Sequence, residues 1–111
     1  MESFNLAAIC GVLSSEPRDR ELPSGSRVTN LEVTVRGDAG TQSVPVVVHD
    51  RVVALGAGEE IIVIGHVARR FFRAGGTTQS RTEVVAATVT PTRRKRSVQR
   101  ALEAARDTLE F

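Results

Sequence analysis

The stretch from Gly58 to Ala87 constrains this chain more than any other. Ile61-Ile62-Val63-Ile64 and Thr82-Glu83-Val84-Val85 are rich in β-branched residues, which are stiff at Cβ and favour extended backbone. Between them, Ala74-Gly75-Gly76-Thr77-Thr78 is small, polar and flexible, as a hairpin loop requires. The pattern predicts two strands joined by a long hairpin. Its approach and tip carry Arg69-Arg70-Phe71-Phe72-Arg73, and from Ile61 to Thr82 there are four arginines and no acid. Cations for phosphates, interleaved with aromatic faces for bases, are what holding a single nucleic-acid strand requires. A solvated edge hairpin whose charges oppose aggregation has the same composition, so the hairpin alone leaves both readings open.

The rest of the chain supplies further strands. Phe4 to Leu13 is apolar on both faces, with Phe4, Leu6, Ala8 and Cys10 on one and Ala7, Ile9, Gly11 and Leu13 on the other. Such a strand is expected to be covered on both sides, by the fold or by a second subunit. Cys10, the one cysteine, reads as a small core residue rather than a nucleophile. Ser14 to Ser26 is punctuated by Pro17, Pro23 and Gly25 and reads as a loop. Val28 to Arg36 alternates, Leu31, Val33 and Val35 inward and Glu32, Thr34 and Arg36 outward. After the turn Gly37-Asp38-Ala39-Gly40 comes a strand over Val44 to His49, where Pro45 removes a ladder donor and suggests an edge or bulge. Asp50 is placed to cap a short helix through Val52, Val53 and Leu55, stopped by Gly56 or Gly58.

Three strands, a short helix and two more strands predict an all-β, five-stranded OB-fold barrel, with another small barrel of equal strand count as the alternative. In an OB-fold the second and third strands and two long loops, here about 14–26 and 69–80, form the binding face. The barrel is expected to span residues 1–91, and 92–111 a basic linker and an amphipathic helix. Val98, Leu102, Ala105 and Leu109 recur at helical spacing as one apolar stripe, which suits docking on the barrel or pairing with another subunit.

Charge narrows the partner. The net charge of +2 hides an asymmetry, since residues 1–92 carry a net −1 and residues 93–111 a net +3. A near-neutral barrel cannot attract a polyanion uniformly, so local clusters must carry any binding: the hairpin and Arg93-Arg94-Lys95-Arg96. No apolar run approaches the roughly 20 residues of a membrane span, and Met1-Glu2-Ser3 has no basic signal region, so a cytoplasmic, nucleoid-associated protein is expected. No nucleophile elbow, phosphate-binding glycine motif or metal-ligand cluster is visible, and His66 stands alone on a strand. The expectation is no enzyme, no cofactor, no metal and no small-molecule substrate.

At this point an ordered set of residues resembles the bacterial single-stranded DNA-binding protein family. Asn5, Gly11, Leu13, Pro17, Ser24-Gly25 and Val28 stand near its start; Val46-Val47-Val48, Gly58, Val63, Gly65, Val67 and Arg70 continue it; Arg81-Thr82-Glu83-Val84-Val85-Ala86 closes it. The resemblance covers about residues 4 to 90. It implies an OB-fold, assembly into dimers or tetramers through an interface that includes the N-terminal strand, and sequence-tolerant binding of single-stranded DNA. The departures are as informative. The chain has no Trp and no Tyr; Ser43 and His49 stand where the family stacks a Trp and a Phe, and Phe72 takes the place of a hairpin Trp. Arg51 falls where the family often has a basic residue, whereas Ala68 and Pro45 replace basic ones. Losing two stacking platforms costs about 2–6 kcal/mol at roughly 1–3 kcal/mol per base. The acidic tail of the family is replaced by a basic helical segment, with Leu109-Glu110-Phe111 only faintly like its recruiting tip.

On this reading phosphates run along Arg36, Arg51, Arg69, Arg70, Arg73 and Arg81, Phe72 stacks, and Phe71 either stacks or plugs the barrel. His49 either stacks or contacts phosphate when protonated, or is an ordinary half-exposed strand residue. The function expected is that of an accessory single-stranded DNA-binding protein in replication, recombination or repair. The alternative is an assembly module that keeps an oligomer interface and little DNA grip. RNA in place of DNA stays open, because stacking and phosphate contacts do not read the 2′-hydroxyl.

Overall fold

A computed structural model describes residues 1–109. It contains β1 (Ala7–Leu13), β2 (Arg18–Glu21), β3 (Arg27–Gly37), β4 (Gly40–His49), β5 (Glu60–Ala74), β6 (Thr77–Pro91) and α1 (Lys95–Thr108). β1 pairs with β5, β5 with β6, β6 with β4, β4 with β3 and β3 with β1, which closes a five-stranded barrel of the order expected for an OB-fold. β2 lies outside the ring, antiparallel to the start of β3. Two short seams close the ring: Val12↔Thr34 and Leu13↔Val33 between β1 and β3, and the parallel pairs Val46↔Val84 and Val47↔Val85 between β4 and β6.

Alternation decides what fills the barrel. Leu31 and Val33 from β3, Val46 and Val48 from β4, Ile61 and Val63 from β5, and Val84 and Ala86 from β6 join Leu13 in a core that, among the described residues, holds no aromatic ring. Gly40 to Pro45 pairs only with β3, so Pro45 occupies an edge, as its missing donor suggested. A register shift after Ile64 leaves Ala87 without a partner in β5. Past that bulge, β5 and β6 run on as a two-stranded ribbon paired to Ala74↔Thr77. Gly75 (φ 60°) and Gly76 (φ 79°) form its tip, because a two-residue turn matching strand twist needs positive φ at both positions. The ribbon base is tied down by Asn5, whose side-chain amide donates to the Val67 carbonyl at 2.7 Å and accepts from its N–H at 2.9 Å.

Four sequence expectations need correction. The segment expected as loop 14–26 contains β2, whose residues Arg-Asp-Arg-Glu are all exposed, so the strand rests on backbone pairing rather than burial. No helix forms between β4 and β5. Asp50 adopts φ 54°, its N–H donates to the Arg27 carbonyl, and its carboxylate accepts from the Arg27 N–H at 3.2 Å. These bonds extend the β3–β4 ladder, and the short β-branched segment after Asp50 does not meet the cost of nucleating a helix. Cys10 is not in the core: it is exposed on the outer face of β1, opposite Ile62. Partial burial, then the Glu60 carboxylate, push its thiol pKa up, which disfavours the thiolate. Finally, the helix presents Val98, Ala101 and Ala105 to Ile62, Ile64 and Leu6 on the outside of β5, while Leu102 stays 46% exposed. Small alanines let the helix approach the strand; Leu109 is exposed, and the rest of the suggested C-terminal tip, Glu110 and Phe111, lies outside the described residues.

The loop into β5 carries a pH-sensitive tether. Glu59 accepts from the Gly56 N–H at 2.8 Å and from Arg93 at 3.3 Å. The Gly56 amide first holds the carboxyl below its ordinary range; desolvation opposes it, and Arg93 and then Arg94 add to the lowering. A folded-state pKa below the unfolded one means stabilisation present above the unfolded value and lost as pH falls through the folded one. Wild type should therefore melt above Glu59→Gln at neutral pH, and the gap should close in acid. A gap that ignores pH across that window would remove the tether from the account.

Candidate nucleic-acid interface

Strand parity sorts the cationic side chains onto two faces. On β5, His66, Ala68, Arg70 and Phe72 alternate away from the barrel interior, and their partners on β6 are Val85, Glu83, Arg81 and Gln79. Asn30 and Glu32 on β3 and Val47 and His49 on β4 share that outward face, as do Arg18 and Arg20 on β2 through their partners Asn30 and Val28. The result is a groove between the ribbon and the β2–β3–β4 wall. One part is lined by Ser15, Arg18, Arg20, Asn30, Glu32, Arg70 and Arg81. Next to it, an apolar slot of about 180 Å³ has Leu22, Val28, Val47, Ala68 and Val85 for walls and floor and His49 on its rim.

Ion pairs set how much positive charge is available. Arg81 binds the Glu32 carboxylate at 3.1 Å, and Ser43 donates to the other oxygen of that group. Arg70 binds Glu83 at 3.2 Å, and Glu83 is only 5% exposed. Arg70 also lies 5.2 Å over the ring of Phe72, which the ribbon holds half-buried. Arg18 and Arg20 enter no ion pair among the described residues. Four guanidiniums thus face two carboxylates, and the surplus sits on β2.

The barrel that carries this groove has a solved structural likeness. A solved Plasmodium falciparum SSB complex with single-stranded DNA superposes with a TM-score of 0.68 at 18% sequence identity, over 82% of this chain and 97% of that one. No protein-family model and no curated protein sequence matches the chain. The barrel is an OB-fold.

Against that OB barrel the sequence-suggested residues divide. Arg70, Arg81, Phe72 and His49 come together at the groove. Arg69, Phe71 and Arg73 point to the reverse face of the ribbon, where Arg69 bonds the Ser80 hydroxyl and lies over Phe71 at 5.6 Å, and Arg73 donates to the Gly76 carbonyl. Phe71 is 66% exposed and does not plug the barrel. Arg36 stands at the far end of β3, opposite Thr41 and outside the groove lining. Arg51 does structural work: its guanidinium donates to the carbonyls of Ala86 and Ala87 at 3.2 and 2.6 Å, at the β6 bulge. Arg18 and Arg20 were missed in the sequence. Their signal was the alternation Arg18-Asp19-Arg20-Glu21, which puts both arginines on one side of an extended segment.

No described helix is long and apolar enough to cross a membrane, and no cluster of three metal-binding side chains occurs among the described residues.

Proposed function

We propose that this chain binds single-stranded DNA with broad sequence tolerance, as an accessory SSB in replication, recombination or repair. The observation that carries the proposal is the groove itself: Arg18, Arg20, Arg70 and Arg81 line one outward face, and the Phe72 ring flanks it. Guanidiniums along such a face take successive phosphates, and a half-exposed ring offers a base a stacking surface without reading its identity. The structural likeness to an SSB seen with single-stranded DNA supports the same use of the barrel.

Anisotropy titration of a fluorescent oligo-dT at several salt concentrations tests it. Log affinity should fall linearly with log salt by about 0.7 per phosphate neutralised. Phe72→Ala should weaken binding by about 1–3 kcal/mol. Flat titrations at low salt would discard the proposal, and an unchanged Phe72→Ala affinity would remove stacking from it.

The second reading, an oligomerising module with little DNA grip, is favoured by one feature. Ala8, Cys10 and Val12 leave the outer face of β1 exposed in the single chain, where a second copy would cover it. Sedimentation showing an oligomer that ignores oligonucleotides would select that reading.

A further inference from the structure

The slot beside the arginines has a floor unlike that of a sequence-blind track. It is apolar on most sides, with Val28 and Val47 buried beneath it and Leu22, Ala68 and Val85 around it. At about 180 Å³ it has room for one planar ring. Into this lining comes one nearly buried acid, Glu83. Its Oε1 accepts from Arg70 Nε at 3.2 Å, and it makes no other bond among the described residues. No buried side-chain oxygen among the described residues lacks a partner, so Oε2 of Glu83 is not sealed in the core, and Glu83 lines the slot. Asn30 and Arg20 bring N–H donors to the β2–β3 side of the same slot.

We infer that this slot seats one base of the bound strand and selects cytosine over thymine. The inference rests on the proposed DNA binding and adds to it a preference that phosphate contacts and Phe72 cannot supply. An acceptor-only carboxylate oxygen suits the exocyclic N4 amine of cytosine, a donor, and opposes the O4 carbonyl of thymine, an acceptor. Asn30 and Arg20 donate to the cytosine O2. The apolar walls remove water from these contacts, which makes a mismatched acceptor pair more costly than it is in solvent. Only one seat discriminates, so the preference is modest and superimposed on a tolerant phosphate track. A net single hydrogen bond amounts to roughly a 2- to 12-fold difference in affinity.

The test compares oligo-dC with oligo-dT of equal length by anisotropy, at mildly alkaline pH where oligo-dC stays unpaired. Wild type should bind oligo-dC more tightly by about that factor. Glu83→Gln, checked by thermal melting, should lose the preference, because its amide offers thymine O4 a donor. Should that variant fail to fold without its pair to Arg70, oligo-dC dimethylated at N4 asks the same question of the wild-type protein. Removing both amine hydrogens should abolish the advantage over oligo-dT. Equal affinity for oligo-dC and oligo-dT overturns the slot and leaves the DNA-binding proposal standing. Failure to bind either oligonucleotide at low salt overturns both.

Discussion

Gly65→Ala is expected to destabilise the fold by about 3 kcal/mol, at the upper end of what overpacking costs. Ordinary strand statistics give the opposite sign, because alanine in a strand interior gains roughly 0.5–1 kcal/mol over glycine. Position decides. Gly65 faces the barrel interior at the β5–β6 bulge, and a Cβ there would land on the Val85 carbonyl and crowd the Ala86 backbone. A flexible side chain could swing away, but these atoms are main chain. Val85 is also held on its other side by the pairing with Val47, one of only two residue pairs joining β4 to β6. Moving it opens the barrel. Urea unfolding should show a lower midpoint with an unchanged slope, the mark of lost stability rather than an altered unfolded state. A midpoint at or above wild type would mean that the seam yields more easily than its hydrogen bonding implies.

The same seam shows where sequence reading succeeds and where it stops. Barrel-filling strands were legible because they alternate: Leu31 and Val33 on β3, Ile61 and Val63 on β5. The C-terminal helix was legible by its period, although Ala101 rather than Leu102 meets the barrel. Alanine carries little hydropathy signal, and only the shape of the β5 surface selects it. β2 was invisible because no apolar residue marks it; its pairing is main chain to main chain, a bond every sequence offers. The helix expected after Asp50 failed for a related reason: a carboxylate that can cap a helix can equally bond the Arg27 amide across a strand pair. Arg51 read as a phosphate contact by position along the chain. Its guanidinium also donates to two carbonyls at a bulge that no local pattern announces.

These distinctions separate the arginines into groups with different expected behaviour. Arg70 and Arg81 already hold carboxylates, so part of their attraction for phosphate is offset before any strand arrives. Arg18 and Arg20 hold none among the described residues, and they project from an exposed strand into the groove. Removing both, Arg18→Ala with Arg20→Ala, should therefore have the largest effect on binding. Each phosphate no longer neutralised lowers the salt slope by about 0.7, and at about 50 mM salt costs roughly a factor of ten in affinity. The double variant should lose roughly 100-fold at low salt and about 1.4 from the slope, with its melting temperature nearly unchanged, because β2 is held by backbone bonds. Arg51→Ala should do the reverse, lowering stability and leaving the slope intact, since it frees two bulge carbonyls and no phosphate site. A double variant with the wild-type slope would move the phosphate path off the β2 wall and onto the reverse face of the ribbon, where Arg69 and Arg73 would have to carry it.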